Sequence, residues 1–225
     1  MSDRVIAITG GHGVLGRAVV EAALADGLRV AVIDHVRGQS APDGVLELGG
    51  VDLTDPASAM NAIDAVAARF GRLDALLNIA GGFVWQTTED PEPAWARMFA
   101  LNLTTALNAG RAALPHLKAS PEGRIVNVGA NAALKSAAGM GAYAAAKAGV
   151  HRLTESLAEE LKDTSVTVNA VLPSILDTAQ NRADMPDADP AKWVAPSDLA
   201  RVMLFLASPE SRAITGALIP VTGKV

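Results

Sequence analysis

Val5-Ile6-Ala7-Ile8-Thr9-Gly10-Gly11-His12-Gly13-Val14-Leu15-Gly16-Arg17-Ala18-Val19-Val20 is the stretch that decides the fold. A continuous apolar run passes into a glycine-rich turn and then into a helical pattern, so it reads as strand, turn, helix. Glycines in such a turn let the backbone come against a pyrophosphate. The helix that follows offers the anion its N-terminal N–H donors and the positive end of its dipole. A lone glycine-rich turn is a weak signal, and its place between a first strand and a helix gives it weight. The candidate binding residues here are Gly10, His12, Gly13, Leu15 and Gly16.

Outward from that turn the same rhythm continues. Strands are predicted at 5–9, 29–34, 46–52, 75–79, 124–128, 166–172 and 217–221, and helices at 14–25, 56–70, 93–117, 141–161 and 197–207. Most of the strand runs are apolar throughout, without polar alternation, as strands covered on both faces require. Strand and helix in rotation predict an α/β fold: a doubly wound parallel sheet of Rossmann type, about seven strands with helices on both faces, in a single domain spanning 1–225. The stretch 174–196 breaks the rhythm, with Pro186, Pro190 and Pro196 and with Asp184, Asp187 and Asp189 among them. It reads as a substrate lid, with Trp193 and Met185 offering apolar surface, or else as a surface excursion.

Composition excludes several classes. Half of the 225 residues are hydrophobic, 19% are charged and the net charge is −5, so the chain can bury a core and carries no electrostatic footprint for nucleic acid or anionic lipid. With no cysteine, there are no disulfides, thiolate nucleophiles or cysteine metal sites; the four histidines lie at no zinc-ligand spacing, so no metal is expected. The first apolar run is too short for a signal segment or a membrane span, which leaves a cytoplasmic protein acting on a small molecule as the expectation.

Two further features carry chemistry. Asp34 ends the second strand roughly 20 residues beyond the turn, where a carboxylate accepts from ribose hydroxyls and repels a 2′-phosphate. It favours NAD(H), with NADP(H) as the alternative because His12 and Arg37 stand near the same corner; a solvated loop aspartate is the plainer reading. Tyr143, the chain's one tyrosine, and Lys147 lie four residues apart on one helix face. A phenol of pKa about 10 is a poor acid–base catalyst at pH 7, and a neighbouring ammonium pulls it toward the working range.

Thr9-Gly10 with Gly13 and Gly16, Asp52-Leu53, Asn78-Ile79-Ala80-Gly81, Leu101-Asn102-Leu103, Gly123-Arg124-Ile125-Val126-Asn127-Val128, Tyr143 with Lys147, and Val168-Asn169-Ala170-Val171-Leu172-Pro173 follow one another in that order. Across essentially the whole chain this resembles the short-chain dehydrogenase/reductase family. The resemblance implies Tyr143 as proton donor or acceptor, Lys147 as its helper and a ribose ligand, and Asn102 as the holder of a water relaying protons to Lys147. It implies Asp52 and Leu53 at the adenine, and Asn78, Ala80 and Gly81 along the adenosine ribose, Asn78 also bracing the central strand. Pro173, Ile175 and Thr178 would hold the nicotinamide carboxamide. A dimer or tetramer through the helices at 93–117 and 141–161 is also implied, though the same faces could simply pack on the sheet.

Four departures stand out. Val14 takes the place of the middle glycine, Ile79 that of a second asparagine and Ser174 that of a glycine, while Ala130 stands where the catalytic serine belongs. Losing such a donor typically costs a few kcal/mol of transition-state stabilisation. The Gly129–Leu134 stretch, Gly139-Met140 and the 176–193 tail resemble quinonoid dihydropteridine reductase, a branch that lacks this serine. Its acceptor regains conjugation on taking hydride and so needs less polarisation. Phe83 and Trp85 read as an aromatic wall for a flat ring or as core filling, and Asn131 as a substitute donor. Two other readings stay open: a general carbonyl or alcohol oxidoreductase, and a catalytically silent NAD(H)-binding sensor or scaffold.

Overall fold

Residues Val5–Thr9 form β1, and its alternate side chains settle on opposite faces of a sheet: Val5 and Ala7 join one apolar cluster, Ile6 and Ile8 another. The computed structural model describes residues 3–37, 42–90 and 94–225. After β1 come α1 (Val14–Ala25), β2 (Arg29–Asp34), β3 (Leu46–Gly49), α2 (Pro56–Phe70), β4 (Ala75–Asn78), α3 (Trp95–Phe99), α4 (Thr105–Ala119) and β5 (Arg124–Val128). The chain then continues through α5 (Gly141–Glu160), β6 (Thr167–Pro173), α6 (Ala179–Asp184), α7 (Pro196–Leu206) and β7 (Leu218–Val221). The strands pair in parallel in the order β3-β2-β1-β4-β5-β6-β7.

The two faces are covered by different helices. α2, α4 and α5 supply Ile63, Val66, Ala109, Ala113, Leu117 and Leu157 to one cluster. On the other face α1 and α7 bring Val19, Ala23, Leu199, Met203 and Leu206. With few rings to fill space, alanines on these helices let aliphatic side chains close the layers. β1 and β4 are neighbours although the chain winds away from them in opposite senses, and a crevice opens beyond their C-terminal ends.

Two stretches differ most from the sequence reading. β3 stops at Gly49 because Gly50 adopts φ +78, which turns the chain and leaves 50–52 outside the strand. The helix expected over 93–117 is divided; Pro93 lies outside the described residues, and a π-helical turn, Ala100–Thr104, separates α3 from α4. There the Asn102 amide donates to the Met98 carbonyl at 3.0 Å and Thr105 Oγ1 to the Leu101 carbonyl at 2.7 Å, side chains taking acceptors that the helix backbone would otherwise use.

The stretch 174–196 also holds more order than its prolines suggest. Leu176 bridges to Val194, Val194 N–H donates to Ile175 O at 2.9 Å, and α6 projects between them. Trp193 is buried at 8% exposure, so it anchors the base of the segment and offers no apolar surface to close over a ligand.

Candidate functional site

The floor of the crevice is tied by Thr9, whose Oγ1 accepts the N–H groups of Ile79 and Ala80 at 3.0 and 3.1 Å. Beyond it Gly10 takes φ +69 with its α-carbon against the Ala80 backbone, where a Cβ would come within 2.9 Å. A Cβ on Gly16 would lie 2.2 Å from the Gly10 carbonyl oxygen, so the turn is closed backbone on backbone. α1 starts at Gly13 with no side chain capping it. By contrast Asp55 caps α2, accepting from Ala57 and Ser58 N–H. The first-turn donors of α1 are thus left to whatever enters the adjoining cleft of about 590 Å³. A glycine cradle beside an uncapped helix start fits the pyrophosphate of a dinucleotide.

At one end of the cleft stands Asp34. Its carboxylate is 4% exposed and accepts from His12 N–H and Val36 N–H, both at 3.0 Å, so it is no solvated loop residue. His35 Nδ1 lies 3.2 Å from Oδ1, and Oδ2 keeps an acceptor lone pair beyond its bond to His12. Gly50 turns the chain so that Val51, Asp52, Leu53 and Thr54 line the same end, and Asn108 of α4 holds the Leu53 and Thr54 carbonyls at 3.0 Å. The exposed Asp52 accepts from Thr54 Oγ1 and N–H, bonds that hold its carboxyl below the ordinary range.

At the other end, α5 places Tyr143 and Lys147 on the cleft wall. Lys147 Nζ donates to the Val128 carbonyl at 2.7 Å and lies 6.0 Å from the centre of the Tyr143 ring. Burial pushes the Tyr143 hydroxyl up to about 12 and Lys147 down to about 8. The expected lowering of the phenol by its ammonium neighbour is therefore outweighed by desolvation. Asn102, 1% exposed, accepts from Gly82 N–H and donates to the Gly82 and Met98 carbonyls. Gly81 sits under both groups: a Cβ there would be 2.6 Å from Asn102 Oδ1 and 3.5 Å from Lys147 Nζ.

Phe83 lines the cleft, and two further aromatic side chains stand near the start of α5. The Phe83 ring meets Tyr143 edge-on at 5.1 Å, Trp85 lies across Gly139 and Trp95 beside Gly141. Phe83 and Trp85 are 52% and 61% exposed, which removes the core-filling reading. Ala130 is buried, and its N–H donates to Nε2 of the buried His151 at 3.4 Å.

Residues 4–189 match the family model described as short chain dehydrogenase. The chain belongs to that family. A 2-(S)-hydroxypropyl-CoM dehydrogenase of Xanthobacter autotrophicus is 32% identical, covering 99% of this chain and 96% of its own length. The 3-oxoacyl-[acyl-carrier-protein] reductase MabA of Mycobacterium bovis is 33% identical, with coverage of 98% and 92%. Among solved structures, the aldohexose dehydrogenase of Thermoplasma acidophilum superposes with TM-score 0.89 at 26% identity, covering 99% and 93%. An NAD+-bound xylitol dehydrogenase shares the fold, with TM-score 0.87 at 24% identity over 99% and 98%.

As a short chain dehydrogenase, the chain belongs to a family of oxidoreductases. Its cleft brings together Gly10, His12, Gly13, Leu15, Gly16, Asp34, Asp52, Leu53, Ala80, Gly81, Phe83, Asn102, Tyr143 and Lys147. Trp85 and five of the expected cofactor and substrate residues do not line it. Asn78 lies behind, donating to Asn127 Oδ1 at 2.9 Å as a brace between β4 and β5. Pro173 is buried at the end of β6, Ile175 faces the Val194 pairing, and Thr178 caps α6 by accepting from Asn181 N–H. Asn131 opens a single helical turn, off the cleft wall. Leu176 reaches the cleft in place of its neighbours, and Thr54, Gly82, Leu101 and Val128 also line it. Nothing in an apolar or small residue's identity signals such a place before the strands are arranged. Among the described residues no group of three or more acidic or histidine side chains is set to hold a metal, and no helix is long and apolar enough to cross a membrane.

Proposed function

We propose that this chain is an NAD(H)-preferring reductase that passes hydride to a small conjugated acceptor of the dihydropteridine type, with Tyr143 supplying the proton. The observation that carries the reading is one cleft: the Tyr143–Lys147 pair shares it with the uncapped glycine turn of α1. A reduced nicotinamide supplies the hydride when bound. Gly10, Gly13 and Gly16 would admit its pyrophosphate, Asp34 its adenosine ribose, and Asp52 and Leu53 its adenine.

At pH 7 a phenol held near 12 keeps its proton until charge builds on the acceptor, which suits delivery of a proton in the reducing direction. Lys147, held at the Val128 carbonyl, is the cation beside the phenolate left behind. Asn102 fixes Gly82 and so the loop that carries Phe83.

Two features support a conjugated acceptor. A methyl group at Ala130 offers no hydrogen bond to a substrate oxygen, and the backbone N–H there is already taken by His151. The wall of Phe83, Trp85 and Trp95 matches the flat face of a ring system. The segment 174–196 serves as a lid whose moving part lies outward of the Leu176–Val194 bridge, with Leu176 as its contact to the cleft.

An acceptor screen with NADH and NADPH in parallel tests the reading. Quinonoid pterins or quinones are expected to turn over faster than simple ketones, with NADH preferred. Tyr143→Phe should lower turnover by about 100-fold or more while leaving NADH binding in place. Faster turnover of ketones would favour a general carbonyl reductase, and tight NADH binding with no turnover of any acceptor would favour the silent sensor.

A further inference from the structure

We infer that Glu47 is a cofactor-specificity residue: paired with the His12 ring, it makes the adenosine corner of the cleft reject a 2′-phosphate. The inference rests on the dinucleotide reading given above and adds a residue outside the glycine turn and outside the end of β2.

The register of the sheet places Glu47. On β3 it is the parallel neighbour of Val32 on β2, and residues so paired point to the same face. That face carries the glycine turn, since a Cβ on Gly11 would come within 2.5 Å of Val32 Cγ1. The Glu47 carboxylate, 22% exposed, accordingly stands beside the turn and meets His12 Nε2 at 3.2 Å.

His12 is held at three points. Its N–H donates to Asp34 Oδ2 at 3.0 Å, its carbonyl accepts from Arg17 Nε at 2.9 Å, and its ring meets Glu47. An ionised carboxylate only accepts, so the ring nitrogen facing Glu47 carries the proton. His12 also lines the cleft, where its ring is the turn's side chain able to donate to a phosphate. With Glu47 in place that donor is committed.

Arg37 is folded back across Gly50, where a Cβ would lie 2.1 Å from Arg37 Nε, and the exposed His35 stands with its Nδ1 3.2 Å from Asp34 Oδ1. A ribose diol brings donors that the Asp34 carboxylate can accept. A 2′-phosphate dianion instead meets two carboxylates joined through one residue, Asp34 through the His12 backbone and Glu47 through its ring. Like charges so placed repel it, and Arg37 is turned away across Gly50.

The test is direct titration of the full-length protein with NADH and with NADPH, read by nicotinamide fluorescence without any acceptor present. Glu47→Gln, which keeps shape and removes charge, should tighten NADPH about tenfold and change NADH by less than about twofold. Glu47→Asp keeps the charge and should leave NADPH excluded. Should Glu47→Gln fail to fold, Glu47→Ala must move the ratio of the two dissociation constants in the same direction. Wild type that binds NADH, with a ratio unchanged in Glu47→Gln or Glu47→Ala, overturns the role of Glu47 alone. Wild type that binds neither cofactor overturns the dinucleotide reading and this inference with it.

Discussion

Lys147 Nζ donates to the Val128 carbonyl at 2.7 Å while standing 6.0 Å from the centre of the Tyr143 ring. The bond fixes the ammonium at the end of β5, on the same cleft wall as the phenol, and does so inside the protein, where charge is costly.

That burial has a pH signature. Lys147 is lowered from 10.5 to about 8, so the folded state binds its proton less well than the unfolded chain does. At about 1.4 kcal/mol per unit, the charged lysine costs the fold on the order of 3 kcal/mol below pH 8, a cost relieved as pH rises toward 10.5. Lys147→Met should therefore raise the stability of the cofactor-free protein at pH 7, with about 1 kcal/mol given back through the lost bond to Val128. The gain should shrink between pH 8 and 10.5 in denaturant titrations, and a gain independent of pH would refute the depressed lysine.

Gly16→Ala should behave oppositely to an ordinary helix glycine. In an exposed helix the change is favourable by about 1 kcal/mol, but here the new methyl would lie 2.2 Å from the Gly10 carbonyl oxygen. The turn must open, and the expected result is a loss of about 1–3 kcal/mol with NADH binding abolished in fluorescence titration. Unchanged binding would separate the turn from the cofactor.

Asn102→Ala removes the partners of Gly82 N–H and the Gly82 carbonyl together. Leaving buried polar groups unpaired costs about 1–3 kcal/mol. The variant should melt earlier and show a raised KM for acceptor, because the freed loop carries Phe83. Hydrogen exchange should report the gain in opening at 81–83.

Trp85→Ala should raise KM for ring-bearing acceptors about fivefold or more while leaving the Kd for NADH unchanged, stacking on an aromatic face being worth about 1 kcal/mol. Gly139→Ala is its complement. Gly139 has φ +74, and a Cβ there would lie 2.1 Å from the Trp85 ring, so the indole must move and its emission shift. A wall that serves only as surface would leave KM unaffected by either change.

A dimer or tetramer through α4 and α5 remains a proposal, supported by the exposed Leu107 on α4 and Phe99 just before the π-helical turn. Sedimentation should show a species at twice or four times the chain mass, and Leu107→Glu should dissociate it. A monomer in the unaltered protein removes the assembly.

Much of this site was legible before any coordinates. Short-range chemistry wrote it: the apolar run 5–9 ending in Gly10, Asp34 closing the next strand, and four residues between Tyr143 and Lys147. Strand period, turn glycines and helical spacing are properties of neighbouring residues, so they can be read along the chain. Errors fell where distant parts meet. Trp193 reads as lid surface and is buried, and the helix over 93–117 hides a π-helical turn at which the side chains of Asn102 and Thr105 take helix acceptors.

The sequence alone determined a parallel doubly wound sheet, the turn at its first crossover and the pair of residues suited to proton transfer, because each follows from local period and local chemistry. Tertiary structure alone decided that Glu47 meets His12, that Trp85 covers Gly139 and that burial, more than the neighbouring charge, governs Tyr143. Those outcomes depend on strand register and on how much water each group loses, and both are set only when separate segments pack together.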